Sequence, residues 1–162
     1  MLKVVLLSIS HKPPEWLSLG VQDFSERLNA FCQFKWVQLK ATKKFSDRHL
    51  AKRDEESQML LRFCEPRDYV VLLDERGKSF VSLEFAKKLD QISGLSFARV
   101  VFVVGGAYGV HEDLKKRAQL IWSLSPLTFN HHLAQLVLIE QLYRCLSLNA
   151  HHPYHNEALE SY

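Results

Sequence analysis

Short apolar runs alternate with longer amphipathic segments along the chain. Residues 2–9 and 99–104 are almost wholly apolar and rich in valine, which is typical of strands buried on both faces of a parallel sheet. The predicted strands are residues 2–9, 34–39, 69–73, 99–104 and 120–124. The spacing of apolar residues predicts five helices. The first begins at Trp16, the second ends near Phe63, the third spans residues 82–92, the fourth ends at Lys116 and the fifth begins at His131.

Strands that alternate with helices through short connections predict one α/β domain, residues 1–162, with a mostly parallel sheet flanked by helices. In such sheets ligands bind beyond the carboxyl ends of the strands. Three loops leave predicted strands at that edge, at residues 73–78, 105–109 and 124–129. Within the first of them, residues 74–78 are predicted to be the turn that ends the third strand.

Composition narrows the class of protein without identifying it. The chain is 47% hydrophobic and 24% charged, which excludes wholesale disorder, and its net charge of +3 is too small to indicate a partner by itself. Three cysteines without C-x-x-C spacing fit reduced thiols, and no run approaches the roughly 18 apolar residues of a membrane span. We therefore expect a cytoplasmic protein without a membrane segment.

The glycine-rich loop at residues 105–109 reads GGAYG. It lacks both the G-x-G-x-x-G spacing of dinucleotide-binding folds and the lysine of a P-loop. Its glycines would let the backbone approach a ligand closely. A tight turn without any ligand explains the motif equally well.

The loop at residues 124–129 combines hydroxyl groups with apolar side chains. Ser125 and Thr128 offer hydrogen bonds, while two leucines and Phe129 offer flat walls. This combination suits a neutral aromatic ring such as adenine. The alternative is a helix cap, in which Thr128 or Asn130 begins the helix that follows.

The last helix, from His131 onward, is apolar around most of its circumference. Such a helix must be covered on one side by its own sheet and on the other by something else, and a symmetric homodimer is the expected cover. Arg144 lies four residues after Glu140, so either it forms an ion pair within the helix or it faces a substrate as a cation.

Basic residues crowd into the segment from Lys40 to Arg53. This cluster is the best candidate for contact with a phosphate backbone, although a solvated helix face has the same composition. Trp36 and Phe45 are nearby candidates for stacking on nucleic-acid bases.

Three histidines and Tyr154 lie in the stretch HHPYH near the end of the chain. No cysteine or carboxylate joins them at the spacing of a metal site, so we expect no metal. The stretch is either a solvated tail or an ordered segment over an active site, where imidazole and phenol groups position or deprotonate a substrate.

Four motifs, in order, resemble one known family. They are LDERGK, VFVVGGAYG, SLSPLTFNHHLAQLVLIEQLYR and HPYH, and together they extend over essentially the whole chain. The chain is similar to the small SPOUT-class methyltransferases of bacteria that modify large-subunit rRNA. The resemblance implies a trefoil knot at about residues 100–150 followed by a tail at 151–162, whereas hydrophobic periodicity alone predicts an unknotted sheet.

The resemblance also implies an activity. It is transfer of a methyl group from S-adenosyl-L-methionine, without a metal, to N3 of a pseudouridine in the rRNA of the assembled ribosome, by a homodimer with composite sites. The implied cofactor contacts are Leu73, Gly105, Leu124, Ser125, Pro126, Leu127, Thr128 and Phe129. The implied residues on the substrate side are His131, Arg144, Tyr154 and His155.

Within that scheme Arg144 would stabilise the anion of the deprotonated imide, and Tyr154 would position the base. His131, Tyr154 and His155 are alternative proton acceptors. Asn130, Gln135 and Asn156 depart from the family pattern, and the last two replace basic residues, so phosphate contacts are not expected there. The alternatives are a SPOUT methyltransferase acting on another RNA, such as tRNA, and a non-catalytic RNA-binding module.

Overall fold

The computed structural model describes residues 1–44 and 47–154, and the short apolar runs and amphipathic segments of the sequence form its strands and helices. Within these residues five strands alternate with five helices. The strands are β1 (Lys3–Ser10), β2 (Gln33–Lys40), β3 (Asp68–Ser79), β4 (Arg99–Val104) and β5 (Leu120–Ser123). The helices are α1 (Glu15–Leu28), α2 (His49–Phe63), α3 (Ser82–Ser93), α4 (Glu112–Arg117) and α5 (His131–Asn149).

All neighbouring strands are parallel, in the order β2-β1-β4-β3-β5. The prediction of an α/β domain with a parallel sheet is therefore confirmed. β4 lies at the centre, where Phe102 is paired with Leu6 of β1 on one side and with Val71 of β3 on the other. This central position explains why the interior of β4 contains no polar residue, since both of its faces are buried.

Helices cover both faces of the sheet. Val100, Phe102 and Val104 share one buried cluster with residues of α1, α3 and α5. Val101 and Val103 belong to the opposite cluster, which contains Leu60 of α2 and Leu114 of α4. The alternation of side chains along a strand places these two sets on opposite faces, so one sheet supports two hydrophobic layers.

α5 packs against both α1 and α3 and also contacts β1 and β4. Leu138, Ile139 and Leu142 are fully buried, whereas Leu133 near the start of the helix is 42% exposed. The two flanking helices therefore cover much of the apolar surface that the sequence assigned to a second subunit. The apolar circumference of α5 alone does not require a dimer.

The predicted turn at residues 74–78 is wrong, because β3 continues through it to Ser79. The strand keeps its partner, since both Leu73 and Lys78 pair with Trp122 of β5 across an irregularity in register. Gly77 lies so close to β5 that an added Cβ would be 2.6 Å from the Ile121 carbonyl oxygen. Only glycine fits this close approach. Because Gly77 has polar neighbours, the sequence of this irregular strand has the composition of a turn.

Candidate active site

A cavity of about 650 Å³ lies at the carboxyl ends of β3, β4 and β5. Its walls include the two loops that the sequence placed at this edge at residues 105–109 and 124–129, the first turn of α5, and residues 73–76, which the sequence predicted as a loop but which belong to β3. Seven of the eight predicted cofactor residues line it, the exception being Pro126. They are Leu73, Gly105, Leu124, Ser125, Leu127, Thr128 and Phe129.

The loop at 124–129 is held by its own hydroxyl groups. Ser123 Oγ donates to the Ser125 carbonyl oxygen at 2.9 Å, and the Leu127 amide donates to Ser125 Oγ at 3.0 Å. Thr128 donates its hydroxyl to the Glu75 carboxylate across the cavity wall. The last of these bonds links the loop after β5 to β3, which contains Glu75.

Asn130 caps α5, because its side-chain oxygen accepts a hydrogen bond from the His132 amide at 2.9 Å. Sequence reasoning left Thr128 and Asn130 as alternative caps, and the structure separates their roles. The residue that departs from the family pattern at 130 begins the helix, while Thr128 lines the cavity.

The glycine-rich loop forms a tight turn at the cavity mouth. Gly106 and Gly109 pair as an isolated bridge, and Gly109 has a φ of +79°, a conformation that favours glycine. Tyr108, at the tip, is 44% exposed. The motif can therefore be both a tight turn and a place where the backbone approaches a ligand, since the turn itself lines the cavity.

Sequence reasoning did not place several charged residues at the cavity. Glu75, Arg53 and Glu112 all line it, and Glu112 accepts a hydrogen bond from Lys115 Nζ at 2.9 Å. Glu75 lies near the carboxyl end of β3 and Glu112 in the connection after β4, and these positions are the signal that could have found them. Arg53 comes from α2, and nothing in its local sequence indicates this placement.

His131 lies at the cavity, in the first turn of α5. Burial, and to a lesser degree the neighbouring His132, lowers the pKa of its imidazole below the ordinary value of 6.5. The two rings are 4.1 Å apart between centroids. His131 is therefore neutral at pH 7 and has the form that accepts a proton.

Arg144 and Tyr154 meet at the other end of α5, around Glu140. One oxygen of the Glu140 carboxylate accepts from Arg144 Nη2 at 2.8 Å and from the Tyr154 hydroxyl at 3.3 Å. The Arg144 guanidinium carbon also lies 4.9 Å from the centre of the Tyr154 ring. Burial and then the Glu140 charge raise the pKa of Tyr154, so it remains a neutral phenol.

The structure does not bring the predicted substrate residues together within one chain. Arg144 lies thirteen residues after His131 on α5, roughly 20 Å along a helix that rises about 1.5 Å per residue. Neither Arg144 nor Tyr154 is among the residues that line the cavity. His155 lies outside the described residues.

Gln135 is fully buried and holds α5 to the sheet. Its side-chain oxygen accepts from Ser8 Oγ at 2.9 Å, Trp36 Nε1 at 3.0 Å and Gln38 Nε2 at 2.9 Å. A basic side chain at position 135 would face three hydrogen-bond donors. The glutamine that departs from the family pattern here is therefore part of an internal hydrogen-bond network. Trp36 is committed to the same network and is half-buried, while Phe45 lies outside the described residues.

Two further observations concern residues 1–44 and 47–154. No group of three or more His, Cys, Asp or Glu side chains there is arranged to hold a metal ion. No helix in that part of the chain is both long and apolar enough to cross a membrane.

Comparison with known proteins gives full-length matches. Residues 2–155 match a family described as "Predicted SPOUT methyltransferase". The chain is 37% identical over 155 residues to "Ribosomal RNA large subunit methyltransferase H" of Bdellovibrio bacteriovorus, covering 96% of this chain and 99% of the relative. Proteins with the same name from Thioalkalivibrio sulfidiphilus (36% over 159 residues; 96% and 100% covered) and Streptococcus thermophilus (34% over 158 residues; 95% and 99% covered) are also similar.

Proposed function

This chain belongs to the SPOUT methyltransferase family, and we propose on that premise that it methylates N3 of a pseudouridine in large-subunit rRNA of the assembled ribosome. The methyl donor is S-adenosyl-L-methionine, bound in the cavity at the carboxyl edge of the sheet. The observation that carries this proposal is the cavity itself, which gathers the later part of β3 and the loops after β4 and β5. The printed names of the relatives supply the rRNA substrate. Because ribosomes are its substrate, the enzyme acts in the cytoplasm.

The donor set of the cavity fits this cofactor. Leucine side chains and Phe129 suit the adenine ring, and backbone amides with the Ser125 hydroxyl suit its polar edge. The cavity wall has three carboxylates, Asp74, Glu75 and Glu112, and three basic side chains, Arg53, Arg76 and Lys115, so it offers partners to a ligand that carries charges of both signs. When bound, S-adenosyl-L-methionine supplies an electrophilic methyl group on a sulfonium, so the chain itself must position the base and remove one proton.

Proton removal falls to the neutral imidazole of His131 in this scheme. His131 would accept the N3 proton of the pseudouridine as N3 takes the methyl group that S-adenosyl-L-methionine, held by the cavity residues, would supply. A cation next to the imide oxygens stabilises the developing negative charge, and Arg144 is the group that supplies it. Tyr154, a neutral phenol, acts as a hydrogen-bond donor that orients the base.

The distance along α5 leads us to infer that the enzyme is a homodimer with composite sites. Arg144 is about 20 Å along the helix from His131, too far for both to touch one base within a single chain. In a two-fold dimer the carboxyl end of α5 from one subunit lies beside the cavity of the other. Each site then combines a cavity from one chain with the partner subunit's Arg144 and Tyr154.

We also infer that residues of about 100–150 form the trefoil knot of the family. β5 pairs with the outer side of β3, yet α5 returns toward the centre of the sheet and packs between α1 and α3. This reversal after β5 supports threading of the chain past the β3–α3 region. A continuous experimental trace from β3 to α5 tests it.

Transfer of labelled methyl groups tests the activity. Intact bacterial ribosomes, purified tRNA and protein-free rRNA are each incubated with enzyme and labelled S-adenosyl-L-methionine, and the modified nucleoside is located by mass spectrometry. We expect label in ribosomes, at N3 of a pseudouridine. Label confined to tRNA would establish the alternative substrate. If calorimetry detects no S-adenosyl-L-methionine binding to folded protein, the chain is a non-catalytic RNA-binding module.

A further inference from the structure

The positive charge of the chain is concentrated in one short segment. Residues 40–53 contain six lysine and arginine side chains against a single aspartate, an excess of +5. The whole chain has a net charge of +3, so the other 148 residues together carry −2. The segment is therefore the place where electrostatic attraction to a polyanion is strongest.

This segment lies at the same edge of the sheet as the cavity. It begins where β2 ends, beside the end of β1, since the Ala41 amide donates to the Ser10 carbonyl oxygen at 3.0 Å. It continues into α2, where Arg53 reaches the cavity wall. We call five of its six basic side chains the basic ridge, namely Lys40, Lys43, Arg48, Lys52 and Arg53.

Acidic neighbours neutralise only one end of the basic ridge. Arg53 pairs with Asp54 at 2.8 Å, and Lys52 lies 3.9 Å from the buried Glu56. Among the described residues, no ion pair involves Lys40, Lys43 or Arg48, and all three are exposed. These three charges are available to an external anion.

An aromatic stack joins the basic ridge to the cavity mouth. The exposed ring of Tyr108, at the tip of the glycine-rich turn, lies 4.2 Å from the His49 ring between centroids, with 32° between their planes. Lys52 Nζ lies 6.0 Å from the centre of the Tyr108 ring. Tyr108 thus presents a half-exposed aromatic face between a row of cations and the cavity.

We propose that the basic ridge binds the phosphate backbone of the substrate RNA and that Tyr108 stacks on an unpaired base next to the target nucleotide. Phosphate contacts from lysine and arginine fix the register of RNA, and exposed aromatic rings bind splayed bases. The proposal rests on the proposed function, because it takes RNA to be the substrate of the adjacent cavity. It assigns a docking surface to α2 and the glycine-rich turn, which lie on the opposite face of the sheet from α5.

Charge reversal tests the basic ridge against a matched control. The variant Lys43→Glu/Arg48→Glu is compared with Lys3→Glu/Arg67→Glu, which changes the same charge at exposed positions at the other edge of the sheet. Binding to intact bacterial ribosomes is measured by co-sedimentation at several salt concentrations. We expect the ridge variant to bind at least tenfold more weakly, with a salt slope lower by about two, and the control to bind within about threefold of the wild type.

Three outcomes of that experiment overturn the proposal. They are equal losses in both variants, no loss in the ridge variant, or a loss of affinity with an unchanged salt slope, which would indicate contact with a ribosomal protein. Wild-type methyl transfer is measured in parallel. If the wild type methylates ribosomes and the ridge variant binds ribosomes as tightly as the wild type does, only the proposed docking surface is wrong. If the wild type methylates none, the proposed function itself fails.

Two substitutions at Tyr108 test the stacking role. Tyr108→Phe keeps the aromatic face, whereas Tyr108→Leu keeps a similar apolar volume without it. We expect Tyr108→Leu to weaken ribosome binding about tenfold, in the range observed for stacked bases, and Tyr108→Phe to stay within about twofold of the wild type. Equal affinities for ribosomes in both variants, or a matching loss of S-adenosyl-L-methionine affinity in Tyr108→Leu, would show that the ring only braces the turn.

Discussion

The two ends of α5 differ in how much of a site one chain can build. At the amino end, His131 and the loop at 124–129 join the glycine-rich turn and residues 73–76 of β3 around a half-open cavity. At the carboxyl end, Arg144 and Tyr154 contact each other and Glu140, and the Tyr154 ring also packs against Tyr143. Neither Arg144 nor Tyr154 is among the residues that line the cavity. One chain therefore has a complete ligand cavity but only half of the groups proposed for the chemistry.

This difference separates binding from turnover. Parallel strands bring the cavity loops together because their carboxyl ends share one edge, so cofactor binding depends on the fold of a single subunit. The Arg144 cluster is prearranged by hydrogen bonds but is about 20 Å away along the helix. Substitutions at the two ends should accordingly change different measured quantities.

The largest effect is expected from Arg144→Ala at the carboxyl end. Loss of a cation that stabilises developing charge should reduce kcat by about 10²–10³-fold, while S-adenosyl-L-methionine affinity stays within about twofold. Loss of the ion pair between Arg144 and Glu140 should lower the free energy of unfolding by only about 0.3–0.5 kcal/mol. Single-turnover kinetics and calorimetry measure the two quantities. Unfolding, or loss of dimer on size exclusion, would instead assign Arg144 a structural role.

Mixing two impaired variants tests whether the two ends meet across a dimer, provided that the cofactor concentration is too low to fill the weakened Leu127→Arg cavity. The Arg144→Ala subunit retains an intact cavity. The Leu127→Arg subunit retains an intact Arg144 at the carboxyl end of α5. If sites are composite, random exchange of subunits gives mixed dimers with one intact site, and about a quarter of wild-type activity should return. No recovery after verified subunit exchange would mean that both ends act within one chain.

The next largest effect is expected at Gln135, which anchors the amino end of α5. Gln135→Leu leaves the Ser8, Trp36 and Gln38 donors without their shared acceptor, which should lower the free energy of unfolding by about 2–3 kcal/mol. Denaturant unfolding measures it. Gln135→Glu, which keeps an acceptor at the same position, is the matched control and should lose less. Equal losses in both variants would show that the network contributes little.

A smaller effect is expected from Leu127→Arg in the cavity wall. Leu127 is 69% exposed, so the substitution should not disturb folding, but it places a cation beside a cationic ligand. We expect S-adenosyl-L-methionine affinity to fall at least tenfold, whereas Leu127→Met should keep it within about threefold. Calorimetry gives both values. Unchanged affinity in the arginine variant would place the cofactor elsewhere.

The sequence predicted the fold more completely than it predicted the site. Apolar or alternating runs predicted all five strands of the described residues, and the signal is strongest for β1 and β4, which are buried on both faces. The end of β3 was missed because Gly77 and its polar neighbours have the composition of a turn, while a close contact with β5 keeps them in the sheet. Pairing between distant segments decides such cases, and no local pattern contains it.

The limits at the site have the same origin. Loops at one sheet edge could be predicted, since the position of a strand end is a local property. The entry of Arg53 into the cavity wall and the commitment of Trp36 to Gln135 depend on contacts between residues far apart in sequence. Likewise, the length of α5 was evident from the sequence. The sequence did not show that His131 lies at the cavity while Arg144 lies away from it.

The smallest effect concerns the pH dependence set by His131. Its pKa is lowered in the folded protein, so the neutral imidazole that accepts a proton persists to below pH 6.5, and kcat should fall only in more acidic solution. The unfolded chain binds protons at higher pH than the folded one, so stability from this group is present above its unfolded pKa and is lost as the pH falls. His131→Gln should remove the acidic decline of kcat and reduce the pH dependence of Tm. A decline that persists unchanged in His131→Gln would assign the proton to a different base, such as His155 of the tail.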